Sequence, residues 1–467
     1  MPHYDLVIVG AGSGNSIIGP EMDAWRIAII EKDLFGGTCL NKGCIPTKML
    51  VYPADLAHDA GHGDRFGVHT SVQSIDWPAI VQRIFGRIDP IAAGGEAYRR
   101  SLANVEIYRG EGHFVGVKEM EVDGVRLTAD RFVLAAGARS MIPSVPGLDP
   151  ALGPVVRYHT SDDVMRLAEF PRRLVILGGG FIAAEMAHIF GGLGSHVTIV
   201  NRGGALLKHE DHEISECFTE IASRRHEVRT GARLVSTSES ETGVTVHFIR
   251  DGHAESVEGD VLLVATGRIP NGALLHPHET ALNLAASGAI EVDDHGRTNV
   301  EDIWALGDLN GRHQLKHMAN GETRVVAHNL VHPNDLRSFE SRPAPHAVFS
   351  SPPIGAIGMT EAEAKASGRR YVVIVNEYAG AAWGWALEDT TSFAKLIGDP
   401  ATGLLLGAHI IGPNAPTLVS LLVQGMYLGN TIEQMARDVV YIHPAPSEVV
   451  EQSLLKLLDA MAEANAT

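Results

Sequence analysis

Apolar runs followed by glycine-rich turns occur at two places in the chain. Residues 4–9 form the first apolar run, the turn GAGSGNS follows it, and residues 26–31 form a second run. The same order recurs in Arg173–Leu177, the turn GGGFIAAE and His196–Val200. At each place we expect strand, turn, helix and strand, which is the βαβ unit that opens a nucleotide-binding domain. The pattern therefore predicts an α/β protein with two Rossmann-like domains.

Other apolar segments indicate where these domains begin and end. RFVLAAGAR (131–139) and VLLVATGRIPN (261–271) each predict a strand that ends in small residues, where the backbone can approach a ligand. IPSVPGLDP (142–150) is typical of a linker, and EDIWALGDLNG (301–311) leads into a helix that we expect to start near Leu315. The strand-like and helical runs beyond Ser341 have no glycine-rich fingerprint. We predict domains at 1–145 with 265–338, at 146–264, and an α+β domain at 339–467.

Composition and charge narrow the possible functions. The chain has 467 residues, 45% of them hydrophobic, and a formal net charge of -18. A nucleic-acid partner would require a basic surface, so the acidic balance favours small-molecule chemistry. The first residues carry no basic leader, and no stretch reaches the ~18 consecutive apolar residues of a membrane span. We expect a cytoplasmic protein with neither a nucleic-acid nor a membrane partner.

The first glycine-rich turn predicts a site for FAD. Gly10, Gly12 and Gly14 follow the first strand directly, and Glu31 closes the next one. Glycine permits the turn, a helix N-terminus meets the pyrophosphate, and the acid binds ribose hydroxyls. The third fingerprint position is Asn15, so the packing there must accommodate a side chain. The alternative is a Rossmann-like turn that binds nothing.

The second turn predicts a site for NADPH. Its fingerprint is Gly178, Gly180 and Ala183, and the strand that follows leads into Asn201–Arg202, where an NAD site would have an acid. An acid would repel a 2′-phosphate, whereas Arg202 and the nearby Lys208 would attract one. The alternative is that these two cations are ordinary surface charges.

Two of the three cysteines, Cys39 and Cys44, lie close together in FGGTCLNKGCIPTK (35–48). In a cytosolic chain this indicates catalytic or metal chemistry. Pro46 fits the first turn of a helix, which places Cys44 at the helix N-terminus, where the dipole favours a thiolate. Gly43 can relax the turn so that the two sulfurs form a labile disulfide. A zinc site and two unrelated buried thiols are the alternatives.

Thiol–disulfide exchange also needs a group that carries protons. His443 in YIHPAPSE is the best candidate among 23 histidines, with Glu448 available to orient its imidazole. HEDHE (209–213) and HQLKH (313–317) each hold two histidines at helical spacing, but no further ligands accompany them. We therefore predict no metal site.

In their order along the chain, GGTCLNKGCIPTK, GGGFIAAE, ATGRIPN, ALGD and HPAPSE resemble the flavoprotein pyridine-nucleotide disulfide oxidoreductases, the family of glutathione reductase and dihydrolipoamide dehydrogenase. The resemblance covers essentially the whole chain. GAGSGNS, FGGTCLNKGCIPTKM, RIFGRIDPIAAGGEAYRR (83–100) and GWALED (384–389) are most similar to the branch that reduces the disulfide of mycothiol. A dihydrolipoamide dehydrogenase or another low-molecular-weight disulfide reductase is the alternative. A catalytically silent flavin-binding sensor or scaffold is an alternative from another class.

The resemblance implies a role for each residue of the redox centre. Cys44 would be the thiol against the flavin, and Cys39 the thiol that attacks the substrate. His443 and Glu448 would form an acid/base dyad that reaches the active site of the other subunit of a homodimer. Lys48 and Glu185 would pair beside the flavin N5. Reduction of a small-molecule disulfide by NADPH through FAD is the implied reaction.

The resemblance also implies which part of the chain holds each cofactor. FAD would bind the discontinuous first domain and NADPH the second, while the third would mediate dimerisation. The helix near Leu315 would point its N-terminus at the flavin N1. Further cofactor-binding positions are Ser13, Glu31, Gly37, Thr38, Lys48, Gly112, Gly267 and Asp308. Arg87, Tyr98 and Arg99 are candidates for substrate contact, although a structural role is favoured for them.

Overall fold

A computed structural model describes residues 1–241 and 243–466. Its strands are β1 (His3–Val9), β2 (Ile27–Glu31), β3 (Val105–Arg109), β4 (His113–Gly116), β5 (Glu119–Val122), β6 (Val125–Leu134), β7 (Ala138–Ser140), β8 (Arg173–Leu177), β9 (His196–Val200), β10 (Glu227–Arg229), β11 (Arg233–Ser240), β12 (Gly243–Arg250), β13 (His253–Gly259), β14 (Val261–Val264), β15 (Arg268–Pro270), β16 (Ile303–Ala305), β17 (His346–Val348), β18 (Ile354–Gly358), β19 (Val372–Glu377), β20 (Phe393–Gly398) and β21 (Leu405–Ile411).

Helices connect these strands. They are α1 (Gly37–Asn41), α2 (Cys44–Ala60), α3 (Trp77–Ser101), α4 (Phe181–Gly192), α5 (His212–Arg225), α6 (Lys316–Val331), α7 (Glu361–Ala366), α8 (Ala382–Leu387), α9 (Ala415–Leu428), α10 (Ile432–Arg437) and α11 (Ser447–Ala466). No helix among residues 1–241 and 243–466 combines the length and the apolar character needed to cross a membrane.

The first sheet has seven strands in the order β3-β2-β1-β6-β5-β4, with β16 beside β6. β1 pairs in parallel with β2 and with β6, and β16 pairs in parallel with β6. Both faces of β1 are covered, because Val7 packs in one apolar cluster and Leu6 in another. This explains why the strand is a continuous apolar run rather than an alternating one.

The expected helix after the first glycine-rich turn is absent, so this prediction was wrong. Two single 3₁₀ turns, Gly14–Ser16 and Pro20–Met22, replace it. Gly19 is extended, with φ −130° and ψ 174°, and Pro20 cannot donate a helical hydrogen bond, so a helix cannot propagate through this segment. α3 supplies the missing support: Arg99 donates from Nε to Asn15 Oδ1 at 2.7 Å.

The second βαβ unit forms as predicted. Its sheet has the parallel order β10-β9-β8-β14, and α4 begins directly after the glycine-rich turn. α4 lies against α2 at small residues, since a Cβ added to Gly192 would be 3.2 Å from the Cβ of Ala54. The chain enters this part after β7 and returns through β15, and these two strands pair with each other.

The C-terminal part contains a five-stranded antiparallel sheet in the order β17-β18-β21-β20-β19. α9 and α11 pack on it and bury an apolar cluster of their own, which includes Leu418, Leu422, Leu454 and Leu457. The predicted α/β class with a C-terminal α+β part is therefore confirmed.

Candidate active site

The two cysteines lie at the junction of α1 and α2. Gly36 and Gly37 have φ of +98° and +64°, and a Cβ on Gly37 would be 2.7 Å from the Cα of Gly12. The cysteine segment therefore contacts the first glycine-rich turn so closely that only glycine fits. Gly43, with φ −140° and ψ −116°, interrupts the helical path, and Cys44 begins α2 as predicted.

The Cys39 and Cys44 thiols are free and hydrogen-bonded to each other. This hydrogen bond, together with burial, raises the pKa of Cys39 well above its ordinary value. The same bond lowers the pKa of Cys44 to about 7, and the nearby Lys48 ammonium contributes in the same direction. The lowered pKa of Cys44 and the raised pKa of Cys39 therefore favour a thiolate on Cys44 over one on Cys39 in the reduced pair.

An ion pair lies beside the cysteines. Lys48 on α2 donates to both carboxylate oxygens of Glu185 on α4, at 2.8 and 2.9 Å. The Glu185 side chain is buried, and its Oε1 also accepts from the backbone N–H of Phe349 at 2.9 Å. The Lys48 ammonium lies 4.6 Å from the centre of the Phe349 ring. The C-terminal part of the chain therefore helps to fix this pair.

A cleft of about 360 Å³ extends from the cysteines across the carboxyl ends of the first sheet. Most of the residues predicted for the first cofactor line it: Gly10, Gly12, Ser13, Glu31, Gly37, Thr38, Cys39, Cys44, Lys48, Gly112, Glu185 and Asp308. Gly14 is buried beneath it, where a Cβ would be 2.8 Å from the Cβ of Ala135. Gly267 is not among the lining residues, although Arg268 is.

Of the two acids predicted to bind the cofactor, Glu31 is buried in this cleft and Asp308 is partly buried. Glu31 accepts hydrogen bonds from the backbone N–H groups of Ala11 at 2.6 Å and Asp33 at 2.7 Å. Burial nevertheless raises its pKa. Burial also raises the pKa of Asp308, even though the cations Arg268 and Lys316 act against it. Hydrogen-bond donors of a bound ligand would therefore stabilise the ionised form of both carboxylates.

Lys316, which lines the cleft, and Glu322, which is buried behind it on the same helix, were not found from the sequence. Lys316, the first residue of α6, donates to Ser13 Oγ at 2.9 Å. Glu322, one and a half turns further along α6, accepts from the N–H of Gly307 at 2.7 Å and from Asn310 at 3.0 Å. Burial raises the pKa of Glu322 to about 7. Lys316 lies inside the HQLKH segment, which offered a signal, whereas nothing local indicates that Glu322 is buried.

The second glycine-rich turn repeats the geometry of the first. A Cβ on Gly178 would be 2.2 Å from Ala265 O, as one on Gly10 would be 2.3 Å from Ala135 O. Asn201 contacts Gly179 in the second turn, which corresponds to the contact of Glu31 with Ala11 in the first turn. The Asn201 side-chain amide donates to the carbonyls of Gly203 and Ala205.

The predicted cations of this second turn lie at its surface. Arg202 and Lys208 are both exposed on the loop that follows β9. That loop folds back on the turn, because Leu207 N–H donates to Gly179 O at 2.6 Å. Gly180 is the residue before α4 and the buried Ala183 lies in its first turn. The residues of the second fingerprint therefore lie close together. They follow a strand of the second sheet, whereas the cysteines lie in the cleft of the first sheet.

His443 and Glu448 pair with each other, away from the cysteines of the same chain. His443 donates from Nδ1 to Glu448 Oε1 at 2.7 Å. The His443 side chain is 73% exposed and neither residue lines the cleft. Val440 and Ile442, the neighbouring apolar residues, are 95% and 74% exposed. The dyad is therefore formed, and it lies on an apolar surface that a single chain leaves uncovered.

The three candidates for substrate contact lie on α3. Arg99 is buried against Asn15, which gives it a structural role, whereas Arg87 and Tyr98 are exposed. None of the three lines the cleft. Among the described residues 1–241 and 243–466, no three His, Cys, Asp or Glu side chains are placed to hold a metal ion.

Comparisons with known proteins cover nearly the whole chain. The family model "pyridine nucleotide-disulphide oxidoreductase" matches residues 4–323, and its dimerisation domain matches residues 344–454. Mycothione reductase of Mycobacterium tuberculosis is 44% identical over 98% of this chain and 100% of that protein. Dihydrolipoyl dehydrogenase of Corynebacterium glutamicum is 31% identical over 97% of each chain. The HOCl-induced flavoprotein disulfide reductase RclA from Escherichia coli superposes with a TM-score of 0.83 at 28% identity, over 98% of this chain and 99% of that one.

Proposed function

Because this chain belongs to the pyridine nucleotide-disulphide oxidoreductase family, we propose that it reduces mycothiol disulfide with NADPH, through FAD and Cys39–Cys44. Family membership makes it an oxidoreductase that acts on sulfur with a flavin and a pyridine nucleotide. The finer proposal rests on one observation: Cys39 and Cys44 line the same cleft as the first glycine-rich turn, Glu31 and the Lys48–Glu185 ion pair.

In this proposal each cofactor binds a part of the chain that has its own sheet, and the third part mediates dimerisation. Residues 1–145 and 265–338 bind FAD, 146–264 bind NADPH, and 339–467 form the dimer interface. The cleft fits a flavin dinucleotide because Gly10, Gly12 and Gly37 line it, so that backbone N–H groups rather than side chains would face the pyrophosphate. Glu31 and Asp308 would hold the ribose and ribitol hydroxyls, and Lys48–Glu185 would lie beside the reactive ring.

The residues of the chain perform the thiol chemistry. A bound flavin would supply the electron pair, drawn from the reduced nicotinamide, that opens the Cys39–Cys44 disulfide. His443 then takes the proton from Cys39, whose thiolate attacks the substrate disulfide to form a mixed disulfide. His443 returns the proton to the first thiol released. The Cys44 thiolate attacks the Cys39 sulfur, expels the second thiol and restores the pair, with the second proton taken from solvent.

This scheme requires a homodimer. His443 must reach Cys39, yet within one chain it lies outside the cleft on an exposed apolar surface. The match to a dimerisation domain supports a second copy that covers this surface and completes each active site with its own dyad. Glu448 would hold the imidazole in the tautomer that leaves Nε2 free for the thiol. We place the enzyme in the cytoplasm, where thiols are kept reduced.

NADPH is preferred over NADH in this proposal because of the loop after β9. The position of the acid that would grip the ribose in an NAD site is occupied by Asn201, which is neutral and fully engaged with its own loop. Arg202 follows it, and both Arg202 and Lys208 are exposed to a ligand. A 2′-phosphate would therefore meet two cations and no carboxylate.

The substrate is tested by NADPH oxidation with mycothiol disulfide, glutathione disulfide and lipoamide under identical conditions. Mycothiol carries its cysteine on an amino sugar and inositol and has no free glycine carboxylate, so hydroxyl-rich recognition is expected. We expect the highest kcat/KM with mycothiol disulfide. A higher kcat/KM with glutathione disulfide or lipoamide would refute mycothiol disulfide as the substrate. It would not refute the assignment of the chain as a disulfide reductase. Cys44→Ser must abolish turnover, and Cys217→Ser is the matched control because Cys217 lies on α5, outside the cleft.

A further inference from the structure

A second cavity of about 190 Å³ has walls on α2 and α4, the helices that carry Lys48 and Glu185. It is enclosed by α2, α4, α5 and the segment that follows β17. Its apolar walls include Ile199, Phe218 and Ala222. A Cβ added to Gly191 would be 2.4 Å from the His226 ring, so this glycine makes room for the imidazole.

The polar part of this cavity consists of hydrogen-bond donors and imidazoles. Arg225 donates to Ser351 Oγ at 2.6 Å and to its carbonyl at 3.1 Å, and its other arm lies 3.2 Å from His58 Nε2. His62, His188 and His226 line the remainder. None of the described residues that line the cavity is an aspartate or a glutamate. The carboxylate of Asp55 is nearby but contacts His188 at 2.7 Å.

Arg225 contacts Ser351 and His58 and forms no ion pair with a carboxylate among the described residues. The pKa of His58 is lowered to about 4, by burial and by the neighbouring Arg225, His62 and His188, against the attraction of Asp55. The pKa of His226 is also lowered to about 4, by burial and by Arg225, His188 and His196. An anion among these groups would replace repulsion with attraction and favour the protonated imidazoles.

We propose that this cavity binds a compact organic oxyanion, a phosphate monoester or carboxylate with a small apolar body. Arg225 and Ser351 would hold the anionic group, since a guanidinium offers the paired donors that oxyanions prefer. Ile199 and Phe218 would cover the apolar body. A metal is a poorer occupant, because no three candidate ligands among the described residues converge on one point.

The occupant would act on the redox centre because the cavity shares three walls with it. α2 carries both Lys48 and His58, and α4 carries both Glu185 and His188. Phe349, which donates to Glu185, precedes the Ser350–Ser351 part of the wall. A ligand that shifts any of these walls would move the Lys48–Glu185 pair, so the site would regulate reduction rather than take part in it.

The test is calorimetric titration of the flavin-loaded dimer with phenyl phosphate, with phenol as the neutral control. We expect one phenyl phosphate per chain, no binding of phenol, and heats that vary with the ionisation enthalpy of the buffer because protons are taken up. Arg225→Ala should weaken binding by about tenfold or more.

Matched variants decide the outcome. Arg224→Ala removes the adjacent cation, which pairs with Glu220 outside the cavity, and should leave binding unchanged. His226→Gln keeps the size of the side chain and should reduce the proton uptake even if Arg225→Ala folds poorly. Equal binding in Arg225→Ala and Arg224→Ala, no binding at all, or binding that Arg202→Ala abolishes would overturn the proposal. Since no turnover is measured, its failure is independent of the proposed reaction.

Discussion

The ammonium of Lys395 on β20 is fully buried among three carboxylates. It contacts Asp211 at 2.9 Å, Glu213 at 2.5 Å and Glu361 at 2.6 Å. Asp211 and Glu213 lie at the start of α5, in the part of the chain that contains the second glycine-rich turn, whereas Glu361 begins α7 in the C-terminal part. This cluster therefore joins two parts of the chain through the buried charge of Lys395, which pairs with the buried Asp211 and with two partly exposed glutamates.

Lys395→Met should destabilise this junction, and the exposed fractions of the three carboxylate side chains determine by how much. Removing one partner of a buried ion pair costs about 3–5 kcal/mol. The Glu213 and Glu361 side chains are 43% and 33% exposed and can rehydrate, so only the fully buried Asp211 is stranded. We therefore expect the lower end of that range, about 3 kcal/mol, which corresponds to about a hundredfold increase in local opening.

Hydrogen exchange followed by mass spectrometry measures this opening directly. Amides of α5 and β20 should exchange about a hundredfold faster in Lys395→Met, provided that they exchange through local opening. Lys365→Met is the control, because Lys365 is exposed on α7. Adding Asp211→Asn to Lys395→Met should recover part of the protection by removing the stranded charge. Unchanged exchange of α5 in Lys395→Met would refute the reasoning.

Four further predictions concern the cleft and its partners. Cys44→Ser should abolish the long-wavelength thiolate–flavin absorbance during anaerobic NADPH titration, and its survival would contradict the assigned charge. His443→Gln should slow disulfide turnover by about 10²–10⁴ while stopped-flow reduction by NADPH is unchanged. Arg202→Ala should raise KM for NADPH by about tenfold and leave KM for NADH unchanged. Glu322 has its pKa raised to about 7, so ionisation costs stability as the pH rises from about 4.5 through 7; Glu322→Gln should raise Tm more at pH 8 than at pH 5.

The local sequence pattern was sufficient to predict the elements whose formation depends on residues close together in the chain. The second βαβ unit formed because an apolar strand, three small turn residues and a long uninterrupted helix segment agree with each other. The first unit carries the same turn but not the same helix, and the signal was present in Gly19–Pro20. The helix was predicted from the glycine fingerprint alone, although a proline preceded by an extended glycine stops helix growth.

Contacts between distant segments could not be predicted from one sequence. Asn15 departs from the fingerprint, and its partner Arg99 lies 84 positions away on another helix. Lys395 and Asp211 are 184 positions apart, and neither has a charge pattern around it that distinguishes it from a surface residue. His443 and Glu448 were found because they are five positions apart and meet at the start of one helix.

The position of β16 has a consequence for biosynthesis. This strand completes the first sheet beside β6, and Lys316, a few residues later, reaches back to Ser13 across 303 positions. The whole sheet of β8, β9, β10 and β14 lies between them in the chain. On the ribosome, this second sheet is therefore synthesised before the cleft receives its last wall, so the cleft can be completed only after most of the polypeptide has emerged.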